Sequence, residues 1–173
     1  MTTILESAID IHLWGAAHRG KPMLAVNQLV GRPMEILLVE DGLLDARVAI
    51  EALREGQVQH RLTLIRDGIE AMEFLHQEGR FIQAPRPDLV LLDLMLPKKS
   101  GLEVLKEVRR DLGLKDLPVV VLTASDAEED KVKCEMFAVD AYIQKPVNLR
   151  KFLSVIKQLQ RFWLDDVILP AVE

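Results

Sequence analysis

Reactive side chains follow several short apolar runs in this sequence. They are the carboxylates of Glu40, Asp41 and Asp93, the hydroxyl of Thr123 and the ammonium of Lys145. Close carboxylates repel one another, so at neutral pH they need protons or a cation. A small all-oxygen site with room for water and phosphate favours Mg²⁺ over Ca²⁺. A carboxylate beside such a cation can accept a phosphoryl group, because that transfer mainly requires positioning and charge neutralisation.

Of these residues, Asp93 has the most informative neighbours in the sequence. It ends the apolar run Leu89–Leu92, and Pro97 interrupts the chain shortly afterwards. Such a run is typical of a strand that is buried on both faces of a parallel sheet. Taken alone, Asp93 fits equally well as a turn residue and as a reactive group at the carboxyl end of a central strand. The rest of the chain has to distinguish these alternatives.

Strand and helix patterns alternate from residue 35 onward. Strands are predicted at 36–39, 61–65, 89–92, 119–122 and 141–143, and helices at 44–55, 69–77, 100–111, 128–137 and from 149 to about 162. Strict alternation predicts an α/β fold, a doubly wound five-stranded parallel sheet with helices on both faces. All strand carboxyl ends then share one edge, where the reactive groups converge around Asp93. The second strand contributes no evident group there.

The composition is that of a soluble domain. The chain has 173 residues, 28% of them charged, and a net charge of −5, which gives no support for a nucleic-acid surface. No apolar run approaches the roughly 18 residues of a membrane span, and the N-terminus does not resemble a secretory signal. Cys134 is the only cysteine, so no disulfide framework exists. We therefore expect a cytoplasmic protein that binds neither nucleic acid nor membrane.

Two segments flank the predicted domain of residues 35–162. Residues 1–34 contain apolar residues at helical spacing and predict an N-terminal helical arm, which could pack on its own domain, on a second copy or on a partner. Alternatively, Met23 or Met34 is the natural start. Residues 163–173 form a short apolar tail. The two apolar ends lead us to expect a homodimer.

The combined motifs resemble the receiver domain of two-component response regulators. The resemblance rests on Glu40-Asp41, Asp93, Leu122-Thr123-Ala124 and Lys145-Pro146, and it covers about residues 35–162. It implies a flavodoxin-like sheet with strand order 2-1-3-4-5. It also implies a cis bond between Lys145 and Pro146.

The resemblance further implies a role for each matching residue. It assigns the phosphoacceptor to Asp93, the Mg²⁺ ligands to Glu40, Asp41, Asp93 and the backbone carbonyl of Met95, the phosphoryl contacts to Thr123 and Lys145, and the switch to Thr123 and Tyr142. The implied protein is a stand-alone receiver, not an enzyme, which accepts a phosphoryl group from a sensor histidine kinase. It would signal to a downstream protein partner through a conformational change.

A narrower resemblance is to the small regulators paired with cyanobacterial and bacterial phytochrome kinases. It rests on Pro85-Arg86-Pro87-Asp88, on the run from Leu96 to Gly101, and on Phe162-Trp163-Leu164 with Leu169-Pro170. The implied kinase is therefore of the phytochrome type.

The chain departs from the receiver pattern in two places. Leu43 and Leu44 follow the acidic pair, where the family usually has a small polar residue. We expect Leu44 to face the core and Leu43 to be exposed. Met95 replaces a residue that is often polar, and together with Ser125 it flanks the expected route of attacking water. Both residues could therefore change the lifetime of the phosphoryl group.

Three other functions agree less well with the sequence. Aspartate-dependent phosphohydrolases typically have a second acidic residue two positions after the nucleophile, where this chain has Met95. A nucleotide-binding module would have a glycine-rich loop after the first strand, and none is present. A pseudo-receiver that serves as a dimerising scaffold usually lacks an acidic, threonine or lysine position, and all of these are present.

Overall fold

The structure, a computed structural model, describes the backbone of residues 33–165 and the side chains of residues 33–159. Its strands are β1 Met34–Val39, β2 His60–Ile65, β3 Leu89–Leu92, β4 Val119–Thr123 and β5 Ala141–Gln144. Its α-helices are α1 Leu43–Glu55, α2 Gly68–His76, α3 Gly101–Arg110, α4 Glu128–Met136 and α5 Leu149–Asp165, with a short 3₁₀ helix at Gly79–Phe81. The predicted alternation of strands and helices is confirmed.

The five strands form one parallel sheet in the order β2-β1-β3-β4-β5. Val39 at the end of β1 pairs with Ile65 on one side and Leu92 on the other. The strands therefore end close to the same level, and the residues that follow them lie at one edge of the sheet. The predicted strand order is confirmed.

The strands bury side chains on both faces of the sheet. Alternate residues of β1 and β3 point to opposite faces, as the pleat of a strand requires. On one face these residues pack with α2, α3 and α4, and on the other with α1 and α5. Phe152 of α5 is fully buried, which contributes about 2 kcal/mol. The prediction of helices on both faces is confirmed.

The inward face of α1 consists of small residues and one leucine, namely Ala46, Ala49, Ala52 and Leu53. Leu44 precedes Ala46 by two positions and therefore lies roughly 160° away around the helix. Its side chain is 78% exposed, so the prediction that Leu44 faces the core is wrong.

Two glycines allow the loop after β3 to approach other backbone segments closely. A Cβ atom at Gly101 would lie 2.1 Å from the carbonyl oxygen of Asp93. A Cβ atom at Gly68, the first residue of α2, would lie 2.1 Å from the carbonyl oxygen of Lys99. Lys98 in the same loop has a left-handed backbone with φ of 65°. The loop after Asp93 is therefore tightly packed at both its middle and its end.

Cys134 lies on α4 and is fully buried. Burial raises the pKa of its thiol to about 12. The thiol is therefore protonated at neutral pH, and Cys134 is part of the apolar core on the α2, α3 and α4 side of the sheet.

The ends of the domain differ slightly from the predicted boundaries. Met34 is the first residue of β1 and so belongs to the sheet, not to the predicted arm of residues 1–34. At the other end α5 continues to Asp165, which places the start of the predicted apolar tail within a helix. Residues 1–32 and 166–173 lie outside the described residues. None of the helices between residues 33 and 165 combines the length and apolar character that crossing a membrane requires.

Candidate functional site

The ammonium group of Lys145 joins carboxylates from different strand ends. Its Nζ atom lies 2.5 Å from Oε2 of Glu40 after β1 and 2.8 Å from Oδ2 of Asp93 after β3. A third contact, of 3.0 Å, goes to Oδ2 of Asp45 in the first turn of α1. Glu40 and Asp93 are buried, and the side chain of Lys145 is only 8% exposed. The ends of β1, β3 and β5 therefore meet, as predicted.

Backbone amides orient the two buried carboxylates. Oε1 of Glu40 accepts a hydrogen bond from the amide of Gly42 at 2.9 Å. Oδ1 of Asp93 accepts one from the amide of Met95 at 3.0 Å. Each carboxylate thus accepts a hydrogen bond from Lys145 at one oxygen and from the loop after its own strand at the other. Both side chains are held in defined orientations.

Glu40, Asp41 and Asp93 form a compact acidic cluster. One carboxylate oxygen from each residue lies within 4.8 Å of the others. An all-oxygen donor set of this size suits a hard divalent cation. Because the cluster is more negative than one lysine can neutralise, a divalent cation would also relieve the repulsion among the carboxylates. The residues present therefore fit the predicted metal site.

Burial and the shared lysine have opposite effects on the site's protonation. Burial raises the pKa of Glu40, and the neighbouring Asp93 charge adds to this, while hydrogen bonds from Lys145 and Gly42 oppose it. Burial alone would lower the pKa of Lys145, but hydrogen bonds to Asp93, Glu40 and Asp45 outweigh that effect and raise it. Lys145 is therefore charged at neutral pH. The hydrogen bonds to Glu40 do not fully offset the unfavourable burial of its negative charge.

Thr123 and Tyr142 are connected through Ser125. The fully buried Thr123 accepts a hydrogen bond at Oγ1 from the amide of Ser125, at 3.2 Å. The hydroxyl of Tyr142 donates to the carbonyl oxygen of Ser125 at 3.0 Å. Burial raises the pKa of Tyr142 to about 12, so its hydroxyl remains a donor at neutral pH. The bond between Lys145 and Pro146 is cis, as predicted.

Comparison with known families identifies the family of this fold. Residues 36–157 match the family described as the response regulator receiver domain. The chain belongs to the response regulator receiver family. The resemblance seen in the sequence is therefore confirmed, and with it the flavodoxin-like sheet of this receiver.

Individual relatives match over most of their length. Response regulator Rcp1 of Synechocystis sp. is 45% identical over 139 residues, which cover 80% of this chain and 95% of Rcp1. The solved structure of the phosphorylated cyanobacterial phytochrome response regulator RcpA has a TM-score of 0.67 and 45% identity, covering 80% of this receiver and 99% of RcpA. A Mn²⁺-bound form of Rcp1 has the same TM-score and identity, covering 80% and 100% of the two chains. The narrower resemblance to phytochrome-associated regulators is confirmed.

The positions that depart from the family pattern are exposed in this receiver. Leu43 is 63% exposed and Met95 is 65% exposed. Leu43 begins α1 after the acidic pair, and Met95 follows Asp93 by two residues. The backbone of Met95 contacts Asp93, but the apolar side chain of Met95 is largely in solvent.

The structure adds groups to the receiver site that the sequence did not reveal. Asp45, in the first turn of α1, is a third partner of Lys145. At the end of β2, the guanidinium of Arg66 donates to the backbone oxygen of Asp41 at 2.7 Å, and Oδ2 of Asp67 accepts from Lys98 at 2.6 Å. The sequence showed no evident group at the end of β2, and the structure places Arg66 and Asp67 there. The pair Asp67-Gly68 before an apolar helix was the available signal, because Asp is a preferred N-cap residue.

Replacing Glu40 with Gln is expected to stabilise the metal-free receiver at neutral pH. The folded-state pKa of Glu40 is raised above its ordinary value of 4.5, so the folded state binds this proton more tightly than the unfolded state does. The free energy of unfolding of the wild type should therefore increase as the pH falls from neutral through the raised pKa toward 4.5. Glu40→Gln should add about 1 kcal/mol at neutral pH.

Urea denaturation in the presence of a chelator, repeated from neutral pH to about pH 4.5, measures this difference. The advantage of Glu40→Gln should shrink as the pH falls, because the wild-type carboxylate then takes up its proton. A variant that is less stable than wild type at neutral pH would show that the hydrogen bonds of Glu40 outweigh its burial.

Proposed function

We propose that this receiver accepts a phosphoryl group on Asp93 from the phosphohistidine of a sensor histidine kinase. The observation that carries the proposal is the contact between Lys145 and Asp93 at the end of the central strand β3, beside Glu40 and Asp41. A carboxylate oxygen of Asp93 forms the new P–O bond, and the P–N bond of the phosphohistidine breaks. The electron pair of that bond remains on the imidazole nitrogen of the kinase.

The other groups neutralise and position the transferred phosphoryl oxygens. The ammonium of Lys145 supplies positive charge, and the hydroxyl of Thr123 is the nearby hydrogen-bond donor on β4. Glu40, Asp41, Asp93 and the backbone carbonyl of Met95 would hold Mg²⁺, which supplies further neutralisation of phosphate charge when bound. The Mn²⁺-bound structure of Rcp1 and the phosphorylated structure of RcpA support this assignment by similarity.

The signal is a conformational change read by a protein partner. Phosphorylation places a phosphoryl group with about two negative charges on Asp93, and its oxygens attract the hydroxyl of Thr123. Because Thr123 and Tyr142 both contact Ser125, movement at Thr123 is transmitted to Tyr142. The surface formed by α4, β5 and α5 is then shifted toward its partner-binding state.

The similarity to phytochrome-associated regulators makes a phytochrome-type kinase the proposed donor. We place the reaction in the cytoplasm, with the receiver acting as a phosphoacceptor and not as an enzyme with a separate substrate. Homodimerisation remains a prediction, because most of the two terminal segments that motivate it lies outside the described residues.

Incubation with a small-molecule phosphodonor tests the proposed acceptor. We expect one acid-stable, base-labile phosphoryl group per chain, mapped by peptide mass spectrometry to Asp93. Incorporation should require a divalent cation and stop when a chelator is added. Equal incorporation in the chelator, or a label mapped to another residue, would contradict the proposal. A protein that takes up no label at all would instead favour the pseudo-receiver scaffold.

A further inference from the structure

We infer that the turn of residues 66–68, between β2 and α2, positions the divalent-metal site. The inference rests on the proposed function of that site. The turn contacts both of the loops that carry the acidic residues. Arg66 contacts the loop after β1, and Asp67 with Gly68 contacts the loop after β3.

Arg66 fixes the backbone on the β1 side. Its guanidinium donates a 2.7 Å hydrogen bond to the carbonyl oxygen of Asp41, across 25 residues of sequence. The carboxylate of Asp41 belongs to the acidic cluster. A hydrogen bond to this carbonyl restrains the direction in which the Asp41 side chain leaves the backbone.

Asp67 fixes the loop on the β3 side. Its Oδ1 accepts the amide of Glu70 at 2.9 Å and so caps α2. Its Oδ2 lies 2.6 Å from Nζ of Lys98. The Asp67 side chain is only 9% exposed, whereas that of Lys98 is 57% exposed. Asp67, which is fixed at the start of α2, therefore also holds Lys98 in the loop that follows Asp93.

Gly68 brings the two backbones together at the same place. A Cβ atom at this position would collide with the carbonyl group of Lys99, and the amide of Gly68 points to the carbonyl oxygen of Pro97 at 3.5 Å. The loop is held again at its far end, where the amide of Gly101 donates to the carbonyl oxygen of Leu94 at 3.0 Å. The segment that contains Met95 is thus held between two fixed points.

The two explanations for Lys98, a positioning role and a simple charge effect, predict opposite changes in metal affinity when Lys98 is replaced. Removal of its positive charge near an acidic cluster should strengthen the binding of a cation if only electrostatics matters. Loss of the link to Asp67 should weaken binding if the lysine positions the loop, since groups behind metal ligands commonly change affinity by about tenfold or more. The sign of the effect therefore separates the two explanations.

Titration of the full chain with Mn²⁺, followed by the electron paramagnetic resonance of the free ion, measures this sign. Lys98→Gly removes the ion pair and also relieves the left-handed backbone at this position, since glycine adopts that conformation freely. Asp67→Asn keeps an N-cap acceptor for α2 and removes the charge that holds Lys98. Both variants should bind Mn²⁺ about tenfold more weakly than wild type. Lys98→Arg, which retains the ion pair, should stay within about twofold.

Hydrogen exchange without metal provides a second readout. The amides of residues 94–100 should exchange faster in Lys98→Gly than in wild type. The thermal unfolding midpoint of Lys98→Gly should be equal to that of wild type or higher. The inference is overturned if Lys98→Gly binds Mn²⁺ as tightly as wild type or more tightly. The proposed function would still stand after that result, provided that the wild type binds Mn²⁺ and takes up the phosphoryl label. A wild type that binds no Mn²⁺ overturns both the metal site and the inference.

Discussion

Replacing Asp93 with Asn is expected to abolish phosphoryl incorporation and to leave a folded, slightly more stable receiver. An amide has the shape of the carboxylate, and its oxygen can still accept the amide proton of Met95, but it is not a nucleophile toward phosphorus. The substitution also removes one of three crowded negative charges, while Lys145 keeps its contacts to Glu40 and Asp45. We expect a gain of about 1 kcal/mol in the free energy of unfolding without metal.

Intact-mass analysis after treatment with the phosphodonor measures incorporation, and urea denaturation in a chelator measures stability. Asp111→Asn is the matched control, because its carboxylate lies at the end of α3 and not among the three clustered carboxylates. The control should take up label like wild type. Equal labelling of Asp93→Asn and wild type would eliminate Asp93 as the acceptor.

Replacing Lys145 with Met is expected to slow phosphorylation by a factor of about 100 or more, as the loss of one preorganised charge-stabilising group commonly does. The same variant should bind a divalent cation more tightly, because the remaining acidic cluster is more negative. It should also lose about 3 kcal/mol of stability at neutral pH without metal, since Glu40 and Asp93 remain buried with no cation. Added Mn²⁺ should restore part of that loss.

Three measurements on Lys145→Met separate these effects. They are the rate of labelling at saturating divalent cation, the dissociation constant for Mn²⁺, and the urea midpoint with and without the metal. Lys133→Met is the control, because Lys133 forms an exposed ion pair with Glu129 on α4. The control should match wild type in all three. A Lys145→Met variant with normal labelling would show that the metal alone neutralises the phosphoryl group.

The sequence predicts the sheet and the core of this site because both follow from short-range patterns. Most strands are brief apolar runs, and a parallel sheet places all carboxyl ends at one edge, so Asp93 and Lys145 were expected at the same edge although β4 lies between their strands. The polar residues at the ends of β1, β3, β4 and β5 could therefore be chosen by inspection. Neither step required knowledge of side-chain packing.

The contacts that the sequence missed depend on how separate elements pack. Asp45 reaches Lys145 only because α1 lies against the sheet with its alanine face inward, and Leu44 is exposed for the same reason. Lys98 and Asp67 are 31 residues apart, and each has an ordinary local explanation as a loop residue and a helix cap. Nothing in the local pattern of either residue indicates that they form a pair.

The burial of Cys134 has a practical consequence for experiments on this molecule. The only thiol in the chain is enclosed in the core and protonated at neutral pH, so alkylating reagents should leave the folded protein unmodified. A cysteine introduced at an exposed position such as Met136 would therefore be the single attachment point for a fluorophore or spin label. Movement of the α4 surface could then be followed in real time without first removing a native cysteine.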